Sequence, residues 1–451
     1  MRLTSSDRAR FEPGTLRRWQ LIARGEMVRS SAPPSENERF HLDSVERGEP
    51  GWIALSLEFP RALDLGVVQR ATAAVLDRHD VLRGHFVAGD DGYHRYVHPH
   101  IEVRADPGTA GGPATGQLEA EFSESIMAEI TAVCCPLRPA AHYVAAISRP
   151  HSTTLLYAFD HCYIDARSLA VLAAELSAVI AGRQLGAPTS GLAVIERVAE
   201  HDIGVSPTDS RLLGWREFLD GSGWTAPEFP LDLGVEPGST APTHTQVRTL
   251  RSAAQAAEFS EVLRRHGGRS YAALLTCAGI AIHRAGGPAQ MPVVIPTGGN
   301  QRSEECVAWL VGNAPVRIDC SDADLASSVA HNTQRLIAAL PLADIGLAPV
   351  YQAFGDKLRI NRRDVFMMSY VDYTRMHPVD GGIGVQQISS DKSADTAQWW
   401  FWRDREGVHV RVRHPRTETA VRLITQILDT TTEIVDNVVP TYDPVATNYL
   451  A

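Results

Sequence analysis

A short stretch in the first half of the chain contains the residue types that acid–base chemistry requires. An apolar run at residues 155–159 is followed at once by Asp160 and His161, and Asp165 comes four residues after the histidine. The run predicts a buried strand, and the amphipathic segment that starts at Ser168 predicts a helix. A histidine at the end of such a strand is held by the sheet while its ring projects from the edge, which suits a general base.

Three interpretations of His161 are open on these residues alone. The ring is satisfied by neighbouring backbone, or His161 and Asp165 are two metal ligands, or His161 is the base of an acyl transfer. A metal site needs a third and usually a fourth ligand, and no neighbouring His-x-x-x-His or Cys-x-x-Cys supplies them, so we predict no metal. The chain has no Gly-x-Ser-x-Gly motif, which favours a base that activates the substrate's own nucleophile over an enzyme serine.

Length and composition limit the function classes. The chain has 451 residues, of which 44% are hydrophobic and 21% charged, which is typical of globular proteins and predicts two domains. With a net charge of −10 and no run of Lys and Arg, we expect no nucleic-acid partner. No apolar run approaches the ~18 residues that cross a bilayer, and the N-terminus lacks a signal-peptide pattern. The six cysteines have no metal or disulfide spacing, so we expect a reduced, cytoplasmic protein without a membrane span.

Proline and glycine divide the chain into two halves. Residues 221–245 are rich in both and predict a connecting segment. The domain prediction is an N-terminal subdomain over residues 1–190, a linker over 191–245 and a C-terminal subdomain over 246–451. In the last of these, residues 270–284 predict an apolar, buried helix.

Three tryptophans within five residues form a second notable pattern. Strand alternation would place Trp400 and Trp402 on one face and Trp399 on the other. One face could line a substrate channel, and both could equally be core and domain contacts. We therefore keep Trp399 and Trp400 as possible channel residues.

Residues 160–166 resemble the His-His-x-x-x-Asp-Gly signature of the condensation-domain superfamily. That group includes the condensation domains of nonribosomal peptide synthetases, polyketide-associated acyltransferases and free-standing condensation enzymes, and chloramphenicol acetyltransferases share its His-x-x-x-Asp core. Asp160 replaces the first histidine of the signature and Ala166 replaces its glycine. The second histidine, which carries the chemistry in the family, falls on His161.

Further segments resemble the same family in the same order. They are residues 78–86 (Arg-His-Glu-x-Leu-Arg-x-x-Phe), 215–221 (Trp-x-x-x-Leu-x-Gly), 293–302 (a strand leading to an arginine) and 311–317 (a shortened Gly-x-x-x-Asn element). The resemblance implies an α/β (α+β) fold with two chloramphenicol-acetyltransferase-like subdomains in a V, and an active site at their interface. It also implies that Arg302 pairs with Asp165 and supports the site. Asp160 and Ser168 are possible modulators, and the charge of Asp160 could raise the basicity of His161.

The function that this resemblance implies is that of a free-standing condensation-type acyltransferase. Such an enzyme forms an ester or amide between a thioester donor and an alcohol or amine acceptor in natural-product or lipid biosynthesis. The donor would be carried by coenzyme A or by the phosphopantetheine of an acyl or peptidyl carrier protein, and no cofactor would be bound. The sequence shows no basic stretch for coenzyme A phosphates, which favours a carrier protein as partner.

Two alternatives stay open. The replacements at Asp160 and Ala166 are compatible with an inactive condensation fold that recruits carrier proteins or tailoring enzymes. Asp160, Asp165 and Ser168 also fit the Asp-x-x-x-x-Asp-x-x-Ser pattern of heterocyclisation domains, but those domains lack a histidine at the position of His161.

Overall fold

The structure is a computed structural model of the chain, and it describes residues 1–49, 51–107, 118–298, 305–321, 324–376, 379 and 383–442. Within these ranges the strands are β1 (Arg2–Ser5), β2 (Thr15–Arg24), β3 (Val28–Arg29), β4 (Trp52–Phe59), β5 (Gly84–Gly89), β6 (Gly92–Val97), β7 (His100–Ala105), β8 (Tyr143–Ser148), β9 (Thr153–Asp160), β10 (Thr243–Ser252), β11 (Gln290–Thr297), β12 (Gly312–Asp319), β13 (Met368–Asp372), β14 (Gly384–Ser389), β15 (Gln398–Arg403) and β16 (Gly407–Pro415).

The α-helices lie between groups of these strands, in agreement with the predicted α/β (α+β) class. They are α1 (Glu36–Glu46), α2 (Leu65–Arg78), α3 (Glu119–Val133), α4 (Ala166–Ile180), α5 (Gly191–Ile203), α6 (Ser210–Gly221), α7 (Ala253–Arg265), α8 (Ser270–Arg284), α9 (Leu325–Ala339), α10 (Leu347–Phe354) and α11 (Glu418–Tyr442). No single described helix is long and apolar enough to span a bilayer.

The chain folds into two compact units whose sequences interleave. The first unit comprises Met1–His201 together with the described residues of Arg302–Leu310 and Arg375–Lys392, and the second comprises the rest. Two late segments thus belong to the first unit. The predicted continuous subdomains, 1–190 and 246–451, do not include this interleaving.

The range 191–245, predicted as a linker, contains two helices. Helix α5 lies in the first unit as far as His201 and buries Val194 and Ile195, whereas α6 buries a face of four large apolar side chains in the second unit. Apolar residues at helical spacing in both segments explain this outcome, because each helix has a face that must be removed from water. The proline- and glycine-rich composition that predicted a linker describes only the part of the range after α6.

The first unit is built on a seven-stranded sheet in the order β1-β14-β4-β9-β8-β2-β7. Strand β9 lies in the middle and pairs antiparallel with both β4 and β8. All eight of its residues are buried, because alternate side chains pack against helices on opposite faces of the sheet. Leu155, Tyr157 and Phe159 pack with α2 and α4, and Leu156 and Ala158 pack with α3. The strand end that bears Asp160 is therefore rigidly placed.

The second unit contains a four-stranded sheet in the order β10-β16-β15-β13 and the antiparallel pair β11–β12. Helix α8 is buried along its length from Ala272 to Ile282, as predicted for residues 270–284. It packs with α7, with α11 and with the apolar face of the four-stranded sheet in one core cluster.

Candidate active site

The backbone around His161 is fixed on both sides. Asp160, the last residue of β9, is fully buried, and its Oδ1 accepts the N–H of Cys162 at 2.9 Å, which caps a short 3-10 turn over His161–Tyr163. The N–H of His161 donates to the carbonyl of Gly51 at 2.9 Å. The turn after the strand is thus held by both the side chain that precedes the histidine and the neighbouring chain segment.

Asp165 caps helix α4 and anchors a distant segment of the same unit. Its Oδ1 accepts the Ser168 N–H at 2.8 Å and lies 2.9 Å from the Ser168 hydroxyl, and its Oδ2 accepts the Leu310 N–H at 3.2 Å. Burial raises the pKa of the Asp165 carboxyl, and the hydrogen bonds from Ser168 and Leu310 oppose this rise. The carboxylate therefore acts as a connection between the helix start and residue 310.

Ser168 completes this connection. Its hydroxyl accepts the Ala308 N–H at 3.1 Å and lies 2.7 Å from the Ala308 carbonyl, so its one proton goes either to that carbonyl or to Asp165. We refer to Asp165 and Ser168, bonded to the backbone of residues 308–310, as the clamp. The clamp holds the backbone on both sides of Trp309.

The ring of His161 lies against that of Trp309 in a tilted arrangement. Their ring centroids are 4.1 Å apart at an interplanar angle of 34°. Nδ1 of His161 is buried and has no hydrogen bond to any described residue, while the residue as a whole is partly exposed. A neutral imidazole carries one proton, so a proton on the shielded Nδ1 would leave the lone pair on Nε2.

The surroundings of His161 favour its neutral form. Loss of water around the ring, together with the neighbouring His41, lowers the pKa of His161 to about 4. The backbone at His161 and Ile164 and the charge of Asp160 oppose this shift and only partly offset it. At neutral pH the imidazole is therefore unprotonated. It can accept a proton, which is the property that a general base needs.

His41, on α1, is the partner of Asp160. Its Nε2 donates to Asp160 Oδ1 over 2.9 Å, and its ring lies 6.2 Å from that of His161. Gly51 leaves room for this ring, because a Cβ atom at position 51 would lie 2.5 Å from His41 Cε1. Asp160, a predicted modulator, thus points its Oδ1 at His41 and at the Cys162 amide.

The potential ligand atoms of His41, Asp160 and Cys162 lie within 4.8 Å of one another, which raises the question of a metal. Oδ1 of Asp160 already accepts hydrogen bonds from His41 and from the Cys162 amide. Burial, followed by the charge of Asp160, raises the pKa of the Cys162 thiol well above its usual value, which disfavours the thiolate that metals bind. Hydrogen bonds thus occupy Oδ1 of Asp160, whereas its Oδ2 is buried without a partner among the described residues. Because the group offers three ligand atoms and its thiol is protonated, we assign no metal to it.

The remaining predicted site residues lie elsewhere. Arg302 falls outside the described residues, so its pairing with Asp165 stays a prediction. Trp399 has no exposed surface and packs in the core of the second unit, which makes it a core residue rather than a channel residue. Trp400 is on the other face of the sheet, where Arg411 and Arg413 lie 4.2 and 5.4 Å from its ring centre, and it keeps a partly exposed surface.

Two residues of this site were missed by the sequence analysis. His41 follows a capping box formed by Ser35 and Glu38 and reads in sequence as one polar residue of an amphipathic helix. Trp309 lies in an apolar run and reads as a core residue. A contact between distant segments has no local spacing that could reveal it.

A scan against protein-family models matches the model described as the condensation domain over residues 40–368, well over half of the chain. The chain belongs to the condensation-domain family. The predicted resemblance is thereby confirmed, and no curated protein sequence matches the chain significantly.

Solved structures share the fold. The PapA2 acyl transferase aligns with a TM-score of 0.84 and 19% identity, over 97% of this chain and 100% of that one. The first condensation domain of the calcium-dependent antibiotic synthetase, in complex with a substrate analogue, aligns with 0.70 and 15%, over 92% and 97%. The SgcC5 protein from Streptomyces globisporus aligns with 0.64 and 16%, over 90% and 99%. At these identities the likeness establishes the fold alone, and it confirms the α/β, chloramphenicol-acetyltransferase-like class.

Proposed function

We propose that this condensation-family chain is an acyltransferase in which His161 is the general base. The observation that carries the proposal is the placement of its ring: a partly exposed imidazole at the end of a fully buried strand, with Nδ1 shielded. Burial also lowers the pKa of this ring, which favours the neutral form that a base requires.

The reaction would join a thioester donor to an alcohol or amine acceptor. Nε2 of His161 removes the proton from the acceptor's O–H or N–H as its heteroatom attacks the thioester carbonyl. The tetrahedral intermediate then collapses, the carbon–sulfur bond breaks, and the imidazolium returns the proton to the departing thiolate. The products are an ester or amide and a free thiol, and His161 is again neutral.

The donor in this proposal is an acyl group on a carrier protein's phosphopantetheine or on coenzyme A. Support comes from the family and from related structures: the antibiotic-synthetase domain was determined with a substrate analogue, and SgcC5 with a naphthyl ethanediol. A diol bound to a protein of this fold supports an alcohol as one class of acceptor. The experiment therefore uses both coenzyme A and carrier-protein thioesters as donors, and both alcohols and amines as acceptors.

A transfer assay followed by mass spectrometry tests the proposal. Wild type and His161→Ala are offered acyl-coenzyme A and acyl-carrier thioesters with small alcohols and amines. His151→Ala is the matched control, because His151 lies exposed in the turn before β9. We expect condensed product with wild type and the control, and a strong loss with His161→Ala.

Other outcomes identify the alternatives. Equal product with His161→Ala and wild type would overturn the assignment of the base. Binding of carrier proteins with no product from any donor would favour an inactive recruiting scaffold, which the replacements at Asp160 and Ala166 permit. Cyclised product from cysteine, serine or threonine acceptors would indicate heterocyclisation.

A further inference from the structure

We propose that Trp309 is a positioning residue for His161, held ready by the clamp so that its indole fixes the plane of the imidazole and shields one face from water. This inference rests on the proposed function of His161 and adds a residue that the family signature does not contain. It is carried by three observations: the close, tilted contact between the two rings, the anchoring of residues 308–310 and the burial of Nδ1 of the histidine.

The contact between the two rings is close and oriented. The centroids of His161 and Trp309 are 4.1 Å apart with the planes inclined by 34°, whereas His41 meets the same indole edge-on at 6.0 Å and 88°. The indole therefore touches both histidines around Asp160. A flat ring held at this distance restricts rotation of the imidazole about its terminal side-chain bond, a torsion that is otherwise broad.

The backbone position of Trp309 is fixed by hydrogen bonds that its two neighbours, Ala308 and Leu310, make. Ala308 and Leu310 are bonded through their backbone to Ser168 and Asp165, respectively. Val307 and Ala308 are almost fully buried in the core of the first unit. The indole is consequently placed before any substrate arrives, which is the preorganisation that a catalytic group requires.

The indole affects the protonation of His161 in two opposite ways. It displaces water from one face of the imidazole, which favours the neutral ring, and its electron-rich face favours the imidazolium. Because burial is the largest influence on the pKa of His161, we expect the loss of water to dominate. The titratable groups that face His161 in the described structure are His41 from α1 and Asp160 from β9. Of these two, His41 also contacts the indole of Trp309.

Kinetics of Trp309→Phe and Trp309→Ala test the inference, with Trp224→Phe, a partly buried tryptophan of the second unit, as control. We expect Trp309→Ala to lower kcat by about 10-fold to 100-fold with KM within about threefold. Trp309→Phe keeps a flat ring and should stay within about threefold of wild type. A raised KM with unchanged kcat would overturn the inference and make Trp309 a substrate-binding wall.

A second measurement does not depend on turnover. The imidazole of His161 is titrated by NMR in wild type and Trp309→Ala, and His161→Gln identifies its signal. We expect the pKa to rise in Trp309→Ala towards its ordinary value, because water regains the exposed face. An identical titration in both proteins would refute the shielding role. If the alanine variant does not fold, Trp309→Leu replaces it with the same expected directions.

The two measurements separate the failure of one proposal from the failure of the other. If wild type transfers no acyl group, the proposed function fails, and the titration still decides whether Trp309 shields His161. If wild type transfers and His161→Ala does not, but Trp309→Ala matches wild type in both measurements, only the inference about Trp309 fails.

Discussion

The pair formed by His41 and Asp160 makes a quantitative prediction about stability. Asp160 has no exposed surface, and its Oδ1 is bonded by the His41 ring and the Cys162 amide. Replacing His41 by alanine removes one donor from a buried carboxylate, which we expect to cost about 3–5 kcal/mol of the free energy of unfolding. Asp160→Asn removes the charge and keeps an acceptor for both donors, so we expect a smaller loss of about 1–2 kcal/mol.

The double variant distinguishes a specific pair from two independent losses. Once residue 160 is neutral, removal of His41 costs only an ordinary hydrogen bond, about 1 kcal/mol. The double variant should therefore be more stable than the sum of the single losses predicts, by about 2–4 kcal/mol. Urea denaturation gives all four free energies, provided that the signal reports the first compact unit. A coupling energy below about 0.5 kcal/mol would refute the proposed interaction.

Two further predictions concern the clamp and pH. Ser168→Ala leaves the Ala308 N–H without its partner and should lower the free energy of unfolding by about 1–3 kcal/mol, measured by urea denaturation. Ser177 lies on the same helix and its hydroxyl bonds only the Ala173 carbonyl, so Ser177→Ala should cost less. Equal losses in the two variants would count against the clamp. Burial lowers the pKa of His142 to about 4, so the stability that its neutral form contributes is present above pH 6.5 and is lost as pH falls towards 4. Between pH 7 and 4.5, this residue should lower the free energy of unfolding by up to about 1.4 kcal/mol per pH unit. His142→Gln should therefore make the plot of unfolding free energy against pH shallower. An unchanged plot in the variant would contradict the assignment.

The sequence predicted the local parts of the site well. An apolar run before Asp160 and an amphipathic segment from Ser168 are local patterns, and the structure contains β9 and α4 there. The 270–284 helix was predictable for the same reason, because its continuous apolar composition requires burial. Such features depend on neighbours a few residues apart, which a single sequence contains.

What the sequence could not predict depends on contacts between distant segments. The hydrogen bond between His41 and Asp160 joins residues 119 positions apart, and that between Ser168 and Ala308 joins residues 140 apart. No spacing rule connects such positions without an alignment. The same limit applies to the interleaved units, because the composition of residues 375–392 does not indicate that β14 pairs with β4.

The tryptophan pattern shows a limit of another kind. Strand alternation correctly places Trp399 and Trp400 on opposite faces of β15, because side chains alternate along a strand. Alternation alone does not state which face meets the core. That choice depends on the helices that pack against the sheet, and these helices cover the face of Trp399.

The most direct test of the account is the single-turnover rate of acyl transfer, measured at pH 7 with a saturating thioester donor, for wild type and His161→Ala. If Nε2 of His161 removes the acceptor's proton, the rate should fall by about 100-fold to 10,000-fold in the variant, while donor binding stays unchanged. A variant rate within threefold of wild type would show that His161 is not the base.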